Sequence, residues 1–287
     1  MSQTITVSSR GSVRATFVAA YSAVTLAQIT NALPGALSGT FAAEFHPSGA
    51  GLTWIAGMFL MGIVVFELSW GLLGDVLGRK KLLYAGAALS VVGSVLAALA
   101  PTTEMMIFAQ AVGGIAAGIL FPISLSMIAA ITPDHRARAR VIATWAGFLS
   151  LGAVISPLLA CLTAQLFTVP GAAAGAPNVF SGWRVAYFVA AAVAVVVLLV
   201  ALRAKDSAAA EGLKLDLPGQ FTLALGLIAV LFATVEAVDA GFGAWDVIVS
   251  YAVGGILLVL FVVIETRTKE PLIHLSLFKN SAYSITG

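Results

Sequence analysis

The chain of 287 residues has one cysteine, Cys161, three histidines, and little charge: only 10% of its residues are Asp, Glu, Lys or Arg. A single cysteine forms no intramolecular disulfide and no thiolate metal cage. His46, His135 and His274 are scattered over connecting segments without ligand spacing. Charge this sparse excludes a soluble globular domain, in which about 25% of residues are charged, and it excludes disorder on the same ground. A net charge of +2 leaves no electrostatic footprint for nucleic acid. Phosphate-binding glycine loops, nucleophile constellations and nucleotide motifs are also missing, so no cofactor or metal is expected. An ATP-driven pump or a membrane hydrolase would need one of them.

What the chain does have is apolar surface. Hydrophobic residues make up 60% of it, and the mean hydropathy is +1.02. That is enough for roughly eight helical crossings of ~20 residues each. Uncharged stretches at 15–37, 51–71, 82–100, 105–131, 141–167, 185–202, 218–238 and 247–264 supply eight spans of an all-α polytopic membrane protein. The first is too long for the core of a cleaved signal and stays in the protein. Cys161 lies within the fifth run and reads as a small buried apolar residue.

The connections sort by charge. With a cytoplasmic N-terminus, the inner segments hold Arg10, Arg14, Arg79, Lys80, Lys81, Arg136, Arg138, Arg140, Arg203, Lys205, Lys214, Arg267, Lys269 and Lys279, leaving only Arg184 outside. Cytoplasmic Lys and Arg resist translocation, so this bias fixes the orientation in a cell inner (plasma) membrane and supports an even number of spans. The outer stretch 166–183 is uncharged and carries Pro170, Gly171, Gly175, Pro177 and Gly182, as a flexible loop does. The inner stretch 203–216 mixes both signs and reads as a solvated linker. The expected organisation is a six-helix bundle over 1–204, a linker at 205–217, two further spans over 218–266, and the start of another half at 267–287. Pro34 late in the first span and Pro122 late in the fourth hint at an inverted repeat.

Ionisable groups within spans cost about 2.5–3.5 kcal/mol each at the helix centre. Glu67 lies eight residues before Asp75, about 12 Å along a helix. It is either a proton or cation site facing a cavity, or a structural glutamate bonded to a neighbouring helix. Glu236 and Glu265 lie near span ends, where interfacial solvation accounts for them. Gln28 and Asn31, at i and i+3, share one face of the first span and either line a cavity or bind helices together. Gln110 has the same two readings. Trp54, Trp70 and Trp183 fall near interfaces, where tryptophan anchors. The deeper Trp145 either stacks on an apolar or cationic ligand or packs in the core.

The sharpest motif is the second connection, Gly71-Leu72-Leu73-Gly74-Asp75-Val76-Leu77-Gly78-Arg79-Lys80-Lys81-Leu82-Leu83. Its glycines permit a sharp turn and close approach to a neighbour. Asp75 is the one acid among three cations, and near a helix start it would complement the dipole. The pattern G-x-L-x-D-x-x-G-R-K-x-x-L resembles the signature loop between the second and third helices of the major facilitator superfamily of secondary transporters. That resemblance implies a charge network of Asp75 and Arg79, with Lys80 beside it, that latches the two halves of the transporter. Val76 stands where another cation is common, which thins the network.

Further stretches resemble the fourteen-spanner drug:proton antiporter group. They are Ala27 to Pro34, Gly182-Trp183-Arg184, Leu215-Asp216-Leu217-Pro218-Gly219, and Glu265 followed by Pro271 to Phe278. Members have six helices, two linker helices and six more, so the resemblance implies a major facilitator N-terminal bundle plus linker pair that stops as the ninth span begins. The implied function is proton-driven efflux of hydrophobic or cationic small molecules, of multidrug type. A missing C-terminal half, or a homodimer, would restore the cavity. The alternative is a non-transporting membrane interaction or assembly protein that keeps the fold. Three departures bear on the choice. The first span has Thr25, Gln28 and Asn31 where the group has an acid, and Gln110 replaces an arginine. The fifth-helix packing pattern is reduced to Gly147, Gly152 and Ser156-Pro157, which leaves antiport against symport open.

Overall fold

The computed structural model describes residues 7–167, 181–204 and 217–268. The readings on loop residues 168–180, on the linker at 205–216 and on 269–287, including His274 and Pro271, lie outside the described residues. Among the described residues the regular structure is helical: α1 (Val7–Ala36), α2 (Ser38–Phe45), α3 (Gly49–Leu77), α4 (Arg79–Ala98), α5 (Thr103–Ala130), α6 (His135–Leu166), α7 (Gly182–Ala201), α8 (Leu217–Ala240) and α9 (Trp245–Arg267). Each expected span falls on one long helix, and only the short α2 has no counterpart in the sequence reading. Helices answer the demand of a bilayer, where every backbone N–H and C=O must be satisfied within the segment.

Helix starts follow local chemistry. Side-chain oxygens of Ser48, Thr102 and Asp134 accept hydrogen bonds from the backbone N–H groups of Gly51 (3.0 Å), Met105 (3.3 Å) and Ala137 (2.7 Å). These caps satisfy donors that a helix start leaves orphaned. Among the described residues seven helices, α3 to α9, are long and apolar enough to cross a membrane. The equally long α1 is diluted by Ser22, Thr25, Gln28, Thr30 and Asn31. Polarity on a crossing helix needs partners, and α1 is where the functional reading concentrates.

The chain divides into two compact units, 1–211 and 212–287. In the first, α5 packs on α3, α4 and α1, while α7 closes on α4 and α6 on α1. Glycines set the closest approaches. A Cβ on Gly114 would collide with the Phe59 carbonyl oxygen, and one on Gly62 would lie 2.8 Å from the Gly114 carbonyl carbon. On the other side of α5, a Cβ on Gly93 would be 2.9 Å from the Gly113 nitrogen. Small residues allow such backbone contact, and in lipid this packing replaces the hydrophobic drive between helices. Two apolar clusters result. One includes Leu26, Phe59, Leu83, Leu120 and Met127; the other includes Leu33, Phe41, Ile55, Met106 and Trp183. In the second unit α8 and α9 pair through Gly226 and Gly254, with Ala233, Ala237 and Val247 buried between them.

Three sequence expectations are corrected. Cys161 is exposed, not buried, because α6 turns Gly152, Ser156, Ala160 and Thr163 inward and Cys161 falls off that stripe. Trp183 is 1% exposed and part of the core, not an interfacial anchor. Glu265 is 2% exposed, so interfacial solvation does not account for it.

Candidate functional site

At the expected cytoplasmic end, the glycine motif is less a loop than two helices meeting at one residue. Helix α3 runs through Gly71 and Gly74 to Leu77, and α4 starts at Arg79. Only Gly78 intervenes, with φ 97°, a conformation that costs an L-residue dearly. Its N–H reaches back to the Gly74 carbonyl at 3.2 Å. Gly74 serves close approach rather than turning, since a Cβ there would run into Ile123 Cδ1 on α5. Asp75 therefore occupies the last turn of α3 rather than a helix start, and its side chain lies outside the described atoms. Two cations of the expected cytoplasmic segments cap other helices. Lys80 Nζ donates to the Leu202 carbonyl at 2.9 Å, at the end of α7, and Arg138 Nε donates to the Thr132 carbonyl at 3.1 Å, just past α5. Both place positive charge where the helix dipole is negative.

The seam of α1 and α6 carries the polar face of the bundle. Thr25, Gln28 and Asn31 are half-buried along one side of α1. Asn31 Nδ2 donates to Gln28 Oε1 at 3.5 Å, and Thr25 Oγ1 donates to the Phe148 carbonyl at 3.1 Å. Ser156 Oγ crosses to the Ile29 carbonyl at 3.0 Å, and a Cβ on Gly152 would be 2.7 Å from the Thr25 carbonyl oxygen. So Gly152 and Ser156 seat α6 on α1. Gly147 and Pro157 do not share that packing: both point away, and a Cβ on Gly147 would meet nothing within 4 Å. Tyr21 and Phe148 stack across the same seam, with centroids 4.8 Å apart and planes 4° from parallel.

The remaining candidates go elsewhere. Gln110 is buried inside the bundle, away from Gln28 and Asn31, with Nε2 2.7 Å from the Tyr187 hydroxyl and 3.3 Å from Met106 Sδ. Trp145 packs on the core and donates from Nε1 to Ser124 Oγ at 2.9 Å. Glu67 is exposed on α3, on the side that Leu60 and Val64 also expose and one turn beyond Ile63, which faces the core, so it lies at the edge of the packed face. The six-helix bundle leaves one side of Glu67 open.

One cluster escaped the sequence reading. Arg184, the lone outer cation, is 4% exposed. It pairs with Glu44 on α2 at 3.2 Å, donates to the Ala98 carbonyl at 2.9 Å, and lies 4.2 Å over the Trp183 ring. Trp183 Nε1 also donates to Glu44, and Phe41 and Phe45 meet the indole edge-on. Part of the signal was available: Arg184 stood out as the single outer cation, whereas Glu44 drew no attention in the sequence. Which helices would bring them together was not legible there.

A bundle of six membrane helices with glycine-sealed contacts, a polar seam on its first helix and a cation-rich helix junction after its second defines a secondary-transporter fold. The family model "Major Facilitator Superfamily" matches residues 18–278, and the chain belongs to that family. It is 26% identical over 236 residues to the multidrug resistance protein Stp of Mycobacterium tuberculosis (strain CDC 1551 / Oshkosh), covering 82% of this chain and 41% of Stp. With the drug efflux pump JefA of the same organism it shares 30% identity over 245 residues, covering 83% and 45%. The chain thus spans less than half the length of these relatives. Among solved structures, the inward open xylose transporter XylE from E. coli superposes with a TM-score of 0.58 at 14% identity, covering 90% of this chain and 69% of XylE.

Proposed function

We propose that this chain is the N-terminal bundle and linker pair of a proton-driven exporter of hydrophobic or cationic small molecules, working by alternating access. The observation that carries the reading is that four-fifths of the chain aligns with proteins named for multidrug resistance and drug efflux. The geometry supports it. Half-buried Thr25, Gln28 and Asn31 form a polar strip on an otherwise apolar surface, suited to a cavity that a second bundle would complete. The organisation proposed is a transporter bundle over 1–204, a linker, and a helix pair over 218–266. In a plasma membrane with the N-terminus cytoplasmic, the Gly78 junction faces the cytoplasm, and Asp75, Arg79 and Lys80 act there as the gating network. The missing acid of the first span and the altered fourth and fifth spans lean toward the non-transporting alternative, and the likeness to efflux proteins outweighs them.

Glu67 is the proposed proton-coupling group. A carboxylate exposed on a crossing helix faces either lipid, at a cost of several kcal/mol, or a water-filled or protein-lined path. The test is drug susceptibility and proton flux in cells carrying the complete reading frame. Glu67→Gln is expected to lower proton-coupled efflux at least tenfold, and Asp75→Asn to slow transport while substrate still binds. Full coupled efflux by Glu67→Gln would remove Glu67 from the mechanism. No effect of either change on any substrate would favour an assembly role.

A further inference from the structure

Inside the first unit, residues of α1, α3, α4, α5 and α7 line a small, partly open cavity of about 10 Å³. Its polar wall is made of Ser90 and Ser94 from α4, Gln110 from α5, Tyr187 from α7 and Thr30 from α1. Thr30 is satisfied by its own helix, donating to the Leu26 and Ala27 carbonyls. Gln110 Nε2 is satisfied by Tyr187. Three oxygens are left over. Ser90 Oγ, Ser94 Oγ and Gln110 Oε1 have no hydrogen-bond partner among the described residues, although all three residues are buried. Serines in a helix usually donate back to a carbonyl three or four residues earlier, as Ser124 and Ser150 do here. That Ser90 and Ser94 both turn to the cavity instead is the unusual feature.

We infer that this cavity is a binding site for a single water molecule, which joins α4 to α5 and α7. The size fits, because a water needs on the order of 10–15 Å³ of such space, and the chemistry fits, because it needs two to four polar partners. The two hydroxyls, the amide oxygen and the Tyr187 hydroxyl supply them. No charged side chain lines the space, which argues against an ion, and nothing larger than water enters it. The same geometry explains how a glutamine and two serines are tolerated in a seam where Gly93 and Gly113 bring backbones into contact: the water completes bonds that helix packing leaves open. This site is independent of the transport reading and would hold for any function of the bundle.

The test is X-ray radiolytic labelling of the purified chain in nanodiscs in ¹⁸O water, which oxidises side chains beside bound water. Two methionines of α5 form an internal control. Met106 and Met127 are both 0% exposed and each packs in an apolar cluster, but Met106 also touches Gln110, which lines the cavity, and among the described residues Met127 touches no lining residue through a hydrogen bond. Met106 is expected to take up ¹⁸O about tenfold faster than Met127. Ser94→Val, which fills the cavity with methyl groups, is expected to bring the two rates together. Ser94→Ala, which leaves the space open and packs without strain, is expected to keep most of the difference. Equal rates for the two methionines in the unsubstituted chain, whether fast or slow, would overturn the site. So would a difference that survives Ser94→Val in a protein of unchanged helicity.

Discussion

At the scale of single residues, buried charge carries the clearest consequences. Arg184→Met removes the cation from Glu44, the bond to the Ala98 carbonyl and the contact with Trp183 together. Removing one partner of a buried pair costs about 3–5 kcal/mol, and the lower end applies because the Glu44 side chain keeps 26% exposure. Glu44→Gln is expected to cost less, about 1–2 kcal/mol, since Arg184 retains its other two contacts. Thermal unfolding of the single and double variants should show a coupling between them, and additive effects would mean the pair is not energetically linked. The sequence made Arg184 visible as the exception to the charge bias, but it hid the reason a cation is tolerated there. That reason is a carboxylate 140 residues away on a short helix with no periodicity long enough to announce it. Cys161 and Glu265 were misplaced for a related cause: an apolar run shows that a helix is buried in something, but not which of its faces meets protein.

At the scale of elements, the glycines separate into those that hold helices together and those that do not. Gly114→Ala must push α3 away from α5, because the added methyl meets the Phe59 carbonyl oxygen, and backbone cannot yield as a side chain can. Overpacking of this kind costs about 1–3 kcal/mol. Gly147→Ala meets open space and is expected to stabilise α6 by about 0.5–1 kcal/mol through helix propensity. Paired melting curves of the two variants check this, and equal effects would contradict the packing described. At the helix junction, Gly74→Ala presses only on the end of Ile123, so Ile123→Val should recover much of the lost stability. Gly78→Ala has no such rescue, because its φ of 97° is the obstacle. The motif's spacing was legible in the sequence as a close turn. The division of labour between its glycines was not, since backbone torsion and contact with α5 both call for the same residue.

At the scale of the whole molecule, orientation can be tested directly. In a Cys161→Ser background, a cysteine placed at His46 is expected to react with a membrane-impermeant maleimide added outside intact cells. One at His135, before α6, should react only after the inner face is opened, and the reverse pattern would invert the topology. The sequence by itself determined the class, the number of long helices and their family, because bilayer thickness, apolar composition and the glycine–aspartate pattern are properties of the chain read one residue after another. Only the tertiary structure decided which polar groups meet. It placed Gln28 and Asn31 on the seam with α6, took Gln110 into the interior beside Tyr187, left Glu67 exposed, and brought Glu44 to Arg184. A helix of uniform hydropathy can be rotated about its axis at no cost to its own pattern. Glycine contacts and a handful of hydrogen bonds between helices fix that rotation, and with it the face each polar residue shows.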